Sequence, residues 1–538
     1  MSTFYLTTPI YYVNDRPHIG HCYTTTLADV MARFQRLIRG TGDEVFLLTG
    51  TDEHADKVVT SAAAHGVTPQ VWADRNAAEF KLAFEFMGVQ SDDFIRTTEK
   101  RHKERVPEYI AALLKSGDIF RGEYTGWYDE GQEEYLTETA AREQNFKSAI
   151  SGKALVQRTE PCYFFRLSRY QEELRTLIEA DTLRIEPESR KSEVLGRLKP
   201  PAELHDVPIS RPVTSDPATQ WGIRIPGDDG NRVYVWIDAL FNYLTVVDTP
   251  ERRKYWPAHT HLIGKDILWF HAVIWPALLL ALSRSGPDWA WVKLPGRIFG
   301  HGWWIAEGQK MSKSLGNFID LEKLKEYAQK YSLDAVRWYL ATQGPLRGAD
   351  ADFSHAKFVE VYNAELANGI GNSTSRVGNM IEKYFGSCPA PAGVSPSEPG
   401  ADVEFLRLCE AARVKAEAAL DHFDLGEALS AGIELVRQVD HYINVTAPFK
   451  LAKTVGNDEH AKARLGSILY NCAEALRIAS VILSPAMPGK MASLWALWDC
   501  APAPGATLEA LCTFSGPHAM RPGQRIAKGE PLFMRAES

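Results

Sequence analysis

Two clusters, His18-Ile19-Gly20-His21 and Lys310-Met311-Ser312-Lys313-Ser314, carry the residue types that steady a triphosphate as it loses pyrophosphate. The first sets two imidazoles where a strand gives way to a helix. Ring N–H groups and the first backbone N–H groups of the helix can then face one anion together. Gly20 lets adenine or ribose come close to the backbone. The second cluster sets two ammonium groups between Gly308 and Gly316, in a loop able to close over the β- and γ-phosphates. Each cluster also has an ordinary reading, as capping imidazoles or as a solvated basic turn. Together, and in this order, they predict activation of a carboxylate by ATP. The substrate oxygen attacks the α-phosphorus, and the protein positions the groups and neutralises charge.

Other residues could serve the same reaction. Asp52 follows an apolar run and suits a substrate ammonium. Asp266 suits a pair of ribose hydroxyls, or simply caps the helix after it. Trp236, Leu240 and Tyr243 share a face at helical spacing, and His271 lies on an apolar helix. Taken singly, each of these four reads as core.

The elements that must hold these residues are those of an α/β fold. Phe4 to Val13 reads as a buried strand and Asn14 to Pro17 as a turn. Ile19, Leu27, Val30, Met31, Phe34, Leu37 and Ile38 then recur at helical spacing until Gly40. Val45 to Leu48 is a continuous apolar run, as in a central parallel strand. Strand, helix, strand predicts a Rossmann-type, doubly wound parallel sheet with ligands at the carboxyl ends of its strands. From about 118 to 230 the chain turns short-stranded and rich in Pro and Gly, as an inserted domain does. Sheet-like runs resume at Val233 to Asp238 and His261 to Gly264. Beyond about 355 the pattern is all helix. Gly386 to Ala401, with four prolines, reads as a linker. Asp424-Leu425-Gly426-Glu427 reads as a capping box opening a long helix that Pro448 must break.

A chain of 538 residues exceeds one core and predicts three or more domains. Its net charge of −8 excludes nonspecific coating of nucleic acid, but leaves room for a tRNA met by local basic patches. Seven cysteines without a C-x-x-C pair exclude a disulfide framework and a four-thiolate zinc site, and fit a reducing compartment. The most apolar stretch, Ile267 to Leu282, falls short of the ~18–20 residues that cross a bilayer. No leader precedes the first strand. A cytoplasmic protein without a membrane segment is expected.

Six blocks add a resemblance: Thr7 through His21, Thr49 to His54, Tyr234 to Leu240, Ile263 to Ile267, His301 to Trp304, and Lys310 to Ser314. On these, spread over nearly the whole length, the chain resembles the methionyl-tRNA synthetases, a family of class I aminoacyl-tRNA synthetases. The resemblance implies a Rossmann catalytic domain in two halves, 1–117 and 231–300, split by a connective insertion, 118–230. It further implies a lysine-loop and stem-contact segment at 301–355 and an all-α anticodon-binding domain with a C-terminal tail at 356–538. The implied reaction joins L-methionine to ATP, carried with Mg2+, and then passes methionyl to the 2′-hydroxyl of the terminal adenosine of initiator and elongator tRNA(Met).

By the same resemblance, His18, His21, Lys310 and Lys313 are catalytic and meet ATP along with Gly20 and Asp266. Ile10, Tyr12, Asp52, Trp236, Leu240, Tyr243 and His271 hold methionine, with the Ile10 N–H and the Tyr243 hydroxyl on the thioether. Asn372, Arg376, Pro448 and Phe449 read the anticodon. Phe449 stands where the family usually has Trp. Trp127 to Gln132 stands where many relatives place the first zinc-binding C-x-x-C, and Cys162 is the insertion's lone cysteine. A form without zinc is therefore expected. A monomer is expected as well, since the chain ends without the appended module that dimerises some relatives. The rival readings are a class I synthetase for another amino acid, a silent RNA-binding paralogue, and a small-molecule adenylyltransferase.

Overall fold

The computed structural model describes residues 3–537, except 14, 15, 41, 43, 130–133, 137, 149–151, 307, 312–317, 392–398 and 457. The opening strand forms as β1 (Phe4–Tyr12), and α1 (Ile19–Arg39) follows it. Gly40 ends α1 at φ 70°, its N–H bonded to the Arg36 carbonyl. A Cβ at this position would also lie 2.7 Å from the Gly505 carbonyl oxygen, so both the left-handed backbone and the close approach call for glycine. β2 (Val45–Asp52) is buried along its whole length.

β3 (Asp93–Arg96), β4 (Arg184–Glu186), β5 (Thr260–Gly264) and β6 (Arg297–His301) complete a six-stranded sheet in the order β3-β2-β1-β5-β6-β4. Every pairing in it is parallel. Chain order reverses at β1, with β2 and β3 on one side and β5 and β6 on the other. The carboxyl ends of β1 and β5 thus flank the switch point where such sheets bind ligands.

β4 changes one expectation. It falls within 118–230, yet it joins the main sheet as an edge strand, with Ile185 opposite Ile298. The inserted material therefore makes two excursions rather than one continuous body. Antiparallel strands Glu134–Leu136, Ile119–Asp129, Val156–Phe165 and Val207–Pro208 form one sheet, and Ser210–Pro212, Arg224–Ile225 and Asp228–Val233 form another. Three residues are too few to show a strand's alternation.

The next helices, α2 (Val235–Leu240) and α3 (Asn242–Thr245), run almost end to end. The apolar stretch from Ile267 is broken into a 3-10 turn (Lys265–Ile267), a π turn (Phe270–Ile274) and α4 (Trp275–Arg284). Pro276, lacking an N–H, occupies the first turn of α4, where none is needed. His271 lies in the π turn and is buried.

Helices build the rest: α5 (Leu321–Tyr331), α6 (Leu333–Gln343), α7 (Asn372–Tyr384), α8 (Leu425–Thr446) and α9 (Glu459–Leu483). Asp424 caps α8 by accepting the Glu427 N–H at 2.9 Å, and Ala447, in the left-handed region, ends it just before Pro448. α9 is long and apolar enough to span a membrane, but its apolar window is wholly buried, as in the core helix of a bundle. Arg337 of α6 locks the helical region to the sheet. Fully buried, it donates to Asp29 of α1 at 2.6 Å and to the carbonyls of Met87, Pro485 and Ala486.

Candidate active site

A cleft of about 700 Å³ opens at the carboxyl ends of the central strands. His18, Gly20, His21 and Asp266 line one part of it. Ile10, Tyr12, Asp52, Trp236, Leu240, Tyr243 and His271 line another. Residues expected on separate grounds, from five stretches of chain, meet in a single cavity.

At the start of α1 the capping and phosphate-binding readings prove compatible. The Gly20 N–H donates to His18 Nδ1 at 3.0 Å, and the His18 N–H donates to His21 Nδ1 at 3.2 Å. A neutral ring that accepts at Nδ1 carries its proton on Nε2. The cap therefore leaves each imidazole with an Nε2–H to donate. Burial, then the neighbouring His18, pushes His21 well below the ordinary histidine range, so it acts as a neutral donor. A Cβ on Gly20 would lie 2.9 Å from His18 Cε1 and displace the ring.

The chain beyond the second cluster returns to the first at Phe318 and Ile319. The Ile19 N–H bonds the Ile319 carbonyl at 3.0 Å, and the His18 ring meets Phe318 edge-on at 5.2 Å. Lys310 ends a two-residue strand paired with Trp304–Ala306, and Met311 lines the cleft. Lys313 lies outside the described residues.

The amino-acid end is built around a buried acid. Asp52 is 2% exposed. Burial, then Asp238, raises it well above the usual carboxylate range. A carboxylate so placed is stabilised as an anion by a cation that the ligand brings. Asp238 has its own partners: His54 Nδ1 at 2.6 Å and His102 Nε2 at 2.7 Å. Although burial opposes it, these two histidines hold Asp238 well below the usual range. Asp238 sits on α2 between Trp236 and Leu240, so this cluster pins the pocket's helix to the end of β2.

The apolar chamber beyond ends on Tyr243 and His271. His271 Nδ1 lies 3.0 Å from the Ile267 carbonyl, which obliges it to donate. Its Nε2 then accepts the Tyr243 hydroxyl proton at 2.8 Å. Burial lowers His271 to about 4, which keeps this arrangement neutral. The hydroxyl proton is thus committed to His271, and meeting a thioether requires the hydroxyl to turn. Phe270, which the sequence did not single out, stacks on Trp236 with centroids 4.3 Å apart, and Tyr12 meets the same indole edge-on at 5.7 Å.

At the other end Asp266 caps no helix, as the turn over Lys265–Ile267 has no side-chain cap. Its carboxylate instead accepts Trp303 Nε1–H at 3.2 Å inside the cleft. Burial lowers His301 to about 4. Its Nδ1 bonds the Gly302 carbonyl at 2.7 Å and its Nε2 the Thr24 hydroxyl at 2.8 Å. His54, Asp238, His301 and Trp303 all fall within the recognised blocks. Residue type alone assigned them no role, because their work is to hold other side chains.

The anticodon candidates lie apart from this cleft. Asn372, exposed, opens α7, and Arg376 follows one turn later, 3.8 Å from Asp440 of α8. Phe449 is 41% exposed, whereas Pro448 is buried and supports the turn rather than facing solvent. Among the described residues no group of three or more His, Cys, Asp or Glu is placed to hold a metal. Cys162 is buried against Ser210, and residues 130–132 lie outside the described set.

Comparison with known proteins places the chain in a family. A family model described as tRNA synthetases class I (M) matches residues 4–144 and 139–378. The methionine–tRNA ligase of Bacillus subtilis is 39% identical, over 100% of this chain and 78% of its own length. That of Streptomyces coelicolor is 40% identical, over 99% and 97%. The crystal structure of Mycobacterium tuberculosis methionyl-tRNA synthetase bound by methionyl-adenylate superposes with a TM-score of 0.84. It is 33% identical and covers 99% of this chain and 100% of that one.

Proposed function

The chain belongs to the methionyl-tRNA synthetases of class I, and from that premise we propose how its residues divide the work. Its activity is that of a methionine–tRNA ligase: methionine and ATP yield methionyl-adenylate, and tRNA then accepts the methionyl group. One observation carries the assignment of roles: a single cleft holds both the buried Asp52 and the His18–His21 pair.

Asp52 holds the ammonium of methionine, which fixes the carboxylate toward the nucleotide end. Ile10, Tyr12, Trp236 and Leu240 wall the side chain. A soft, weakly accepting sulfur suits a pocket whose polar groups are the Ile10 N–H and the Tyr243–His271 pair. Asp266 takes the ribose of ATP. His18 and His21 donate from Nε2 to the phosphates, and Lys310 and Lys313 follow the charge that gathers on departing pyrophosphate. Mg2+ arrives with ATP as part of the substrate.

The partner is tRNA(Met), initiator and elongator, met by Asn372, Arg376 and Phe449 and charged at the terminal 2′-hydroxyl. A monomer in the reducing cytoplasm completes the reading, supported by seven free cysteines. So does a connective insertion without structural zinc, supported by its single cysteine. Stoichiometric zinc by elemental analysis would overturn that last point. The test of activity is ATP–pyrophosphate exchange with each of the twenty amino acids in turn. Methionine is expected to be the only good substrate, and exchange with none would overturn the reading.

A further inference from the structure

Trp236, Leu240 and Tyr243 face the cleft from helices of only six and four residues, α2 and α3. Helices so short do not hold their own geometry, and partners elsewhere in the fold must set it. Against the same segment packs the helix Lys100–Ser116, and none of its described residues lines the cleft. His102, wholly buried, stands in its first turn. The His102 Nε2–H donates to the Asp238 carboxylate of α2 at 2.7 Å, and its Nδ1 meets the Thr245 hydroxyl of α3 at 3.1 Å. One ring thus touches both pocket helices. Two turns later the Tyr109 ring packs on Phe241, centroids 5.1 Å apart, and the Tyr109 hydroxyl donates to Asp248 at 2.9 Å.

The brace continues to the amino-acid end of the cleft. The second oxygen of Asp238 accepts from His54 Nδ1 at 2.6 Å, two residues past Asp52. Asp52 meets the ammonium of the substrate and Tyr243 the far end of its side chain. The run Thr245–His102–Asp238–His54 therefore ties together the segments that meet the two ends of methionine. In a buried run of this kind, removing one member leaves its neighbours unpaired, and the segments they hold shift. The Tyr243 hydroxyl must turn from His271 to reach a thioether, and turning helps only where its oxygen already stands within reach of the sulfur. A shifted α3 weakens that contact. A methylene in the place of sulfur accepts no hydrogen bond and loses nothing by the shift.

We propose that His102 is a positioning residue for amino-acid selection, bracing α2 and α3 so that the Tyr243 hydroxyl can tell a thioether from a methylene. The proposal rests on the ligase reading of the cleft.

The test measures ATP–pyrophosphate exchange in the full chain with methionine and with norleucine, its analogue with a methylene in place of sulfur. His102→Leu is expected to raise the KM for methionine about tenfold, with the KM for ATP unmoved. The ratio of kcat/KM for methionine to that for norleucine should fall about tenfold with it. Thr245→Val cuts only the link to α3 and leaves Asp238 paired, so it reports even where His102→Leu does not fold. It is expected to lower the same ratio about threefold, and Thr245→Ser, which keeps the hydroxyl, to retain it. An unchanged ratio in Thr245→Val overturns the proposal and leaves the ligase reading standing. So does a loss of equal size for both amino acids, or equal loss in Thr245→Val and Thr245→Ser, since either makes the brace a matter of stability alone. Exchange absent from the unaltered enzyme overturns the ligase reading and this one with it.

Discussion

The cleft and the exposed face of the helical domain solve recognition in opposite ways. In the cleft nearly every polar group is held by another. His18 accepts the Gly20 N–H, His21 accepts the His18 N–H, Tyr243 gives its proton to His271, and behind the cleft wall Asp238 lies between His54 and His102. On the helical face, Asn372 and Phe449 stand in solvent, and Arg376 lies 3.8 Å from Asp440. Small substrates that must react require donors fixed before they arrive. A large partner can be gripped by a few exposed side chains, because its size supplies many other contacts. Damage in the cleft should therefore be felt in the chemistry, and damage on the face only when tRNA is present.

The largest effect is expected at the nucleotide end. His21→Gln keeps an acceptor for the His18 N–H, as in an ordinary capping box, but removes the imidazole donor. Its exchange rate should fall about 10²–10³-fold while the KM for methionine stays put. A change in that KM alone would erase the division of the cleft into two ends. Next in size is Asp52→Asn, expected to lower kcat/KM for methionine about a hundredfold with the KM for ATP unmoved.

Arg376→Ala and Phe449→Ala sharpen the contrast from the other side. Each should weaken tRNA charging about tenfold, within the range for loss of a stacked or charged contact to a base. Exchange without tRNA should not change. Loss in both assays would mean that the helical face shapes the cleft.

The smallest effect concerns pH. His271 and His301 take up protons near 4 in the folded chain against 6.5 when unfolded. Between those values the unfolded chain binds more protons, so stability is full above pH 6.5 and declines as the pH falls toward 4. Thermal unfolding across that interval should show the decline, and His271→Gln should make it shallower.

Much of this was legible in the chain itself. β1, α1 and β2 announce themselves through apolar runs and the glycine stop at Gly40, since burial and backbone sterics act locally. His18, His21, Lys310 and Lys313 stand out because phosphate chemistry needs few residue types, closely spaced. β4 escaped notice, as a three-residue edge strand carries no period. Phe270 did too, because a π turn shifts side chains off the helical register that a sequence reader assumes.

The sequence by itself determined the chemistry: which donors and acids are present, in what order, and on what kind of fold. Only the tertiary structure decided their state. Whether Asp266 caps a turn or faces the cleft, and where the Tyr243 hydroxyl points, depend on partners brought from elsewhere in the chain, Trp303 and His271. A residue's type travels with the sequence, but its charge, tautomer and direction are set by what is packed against it.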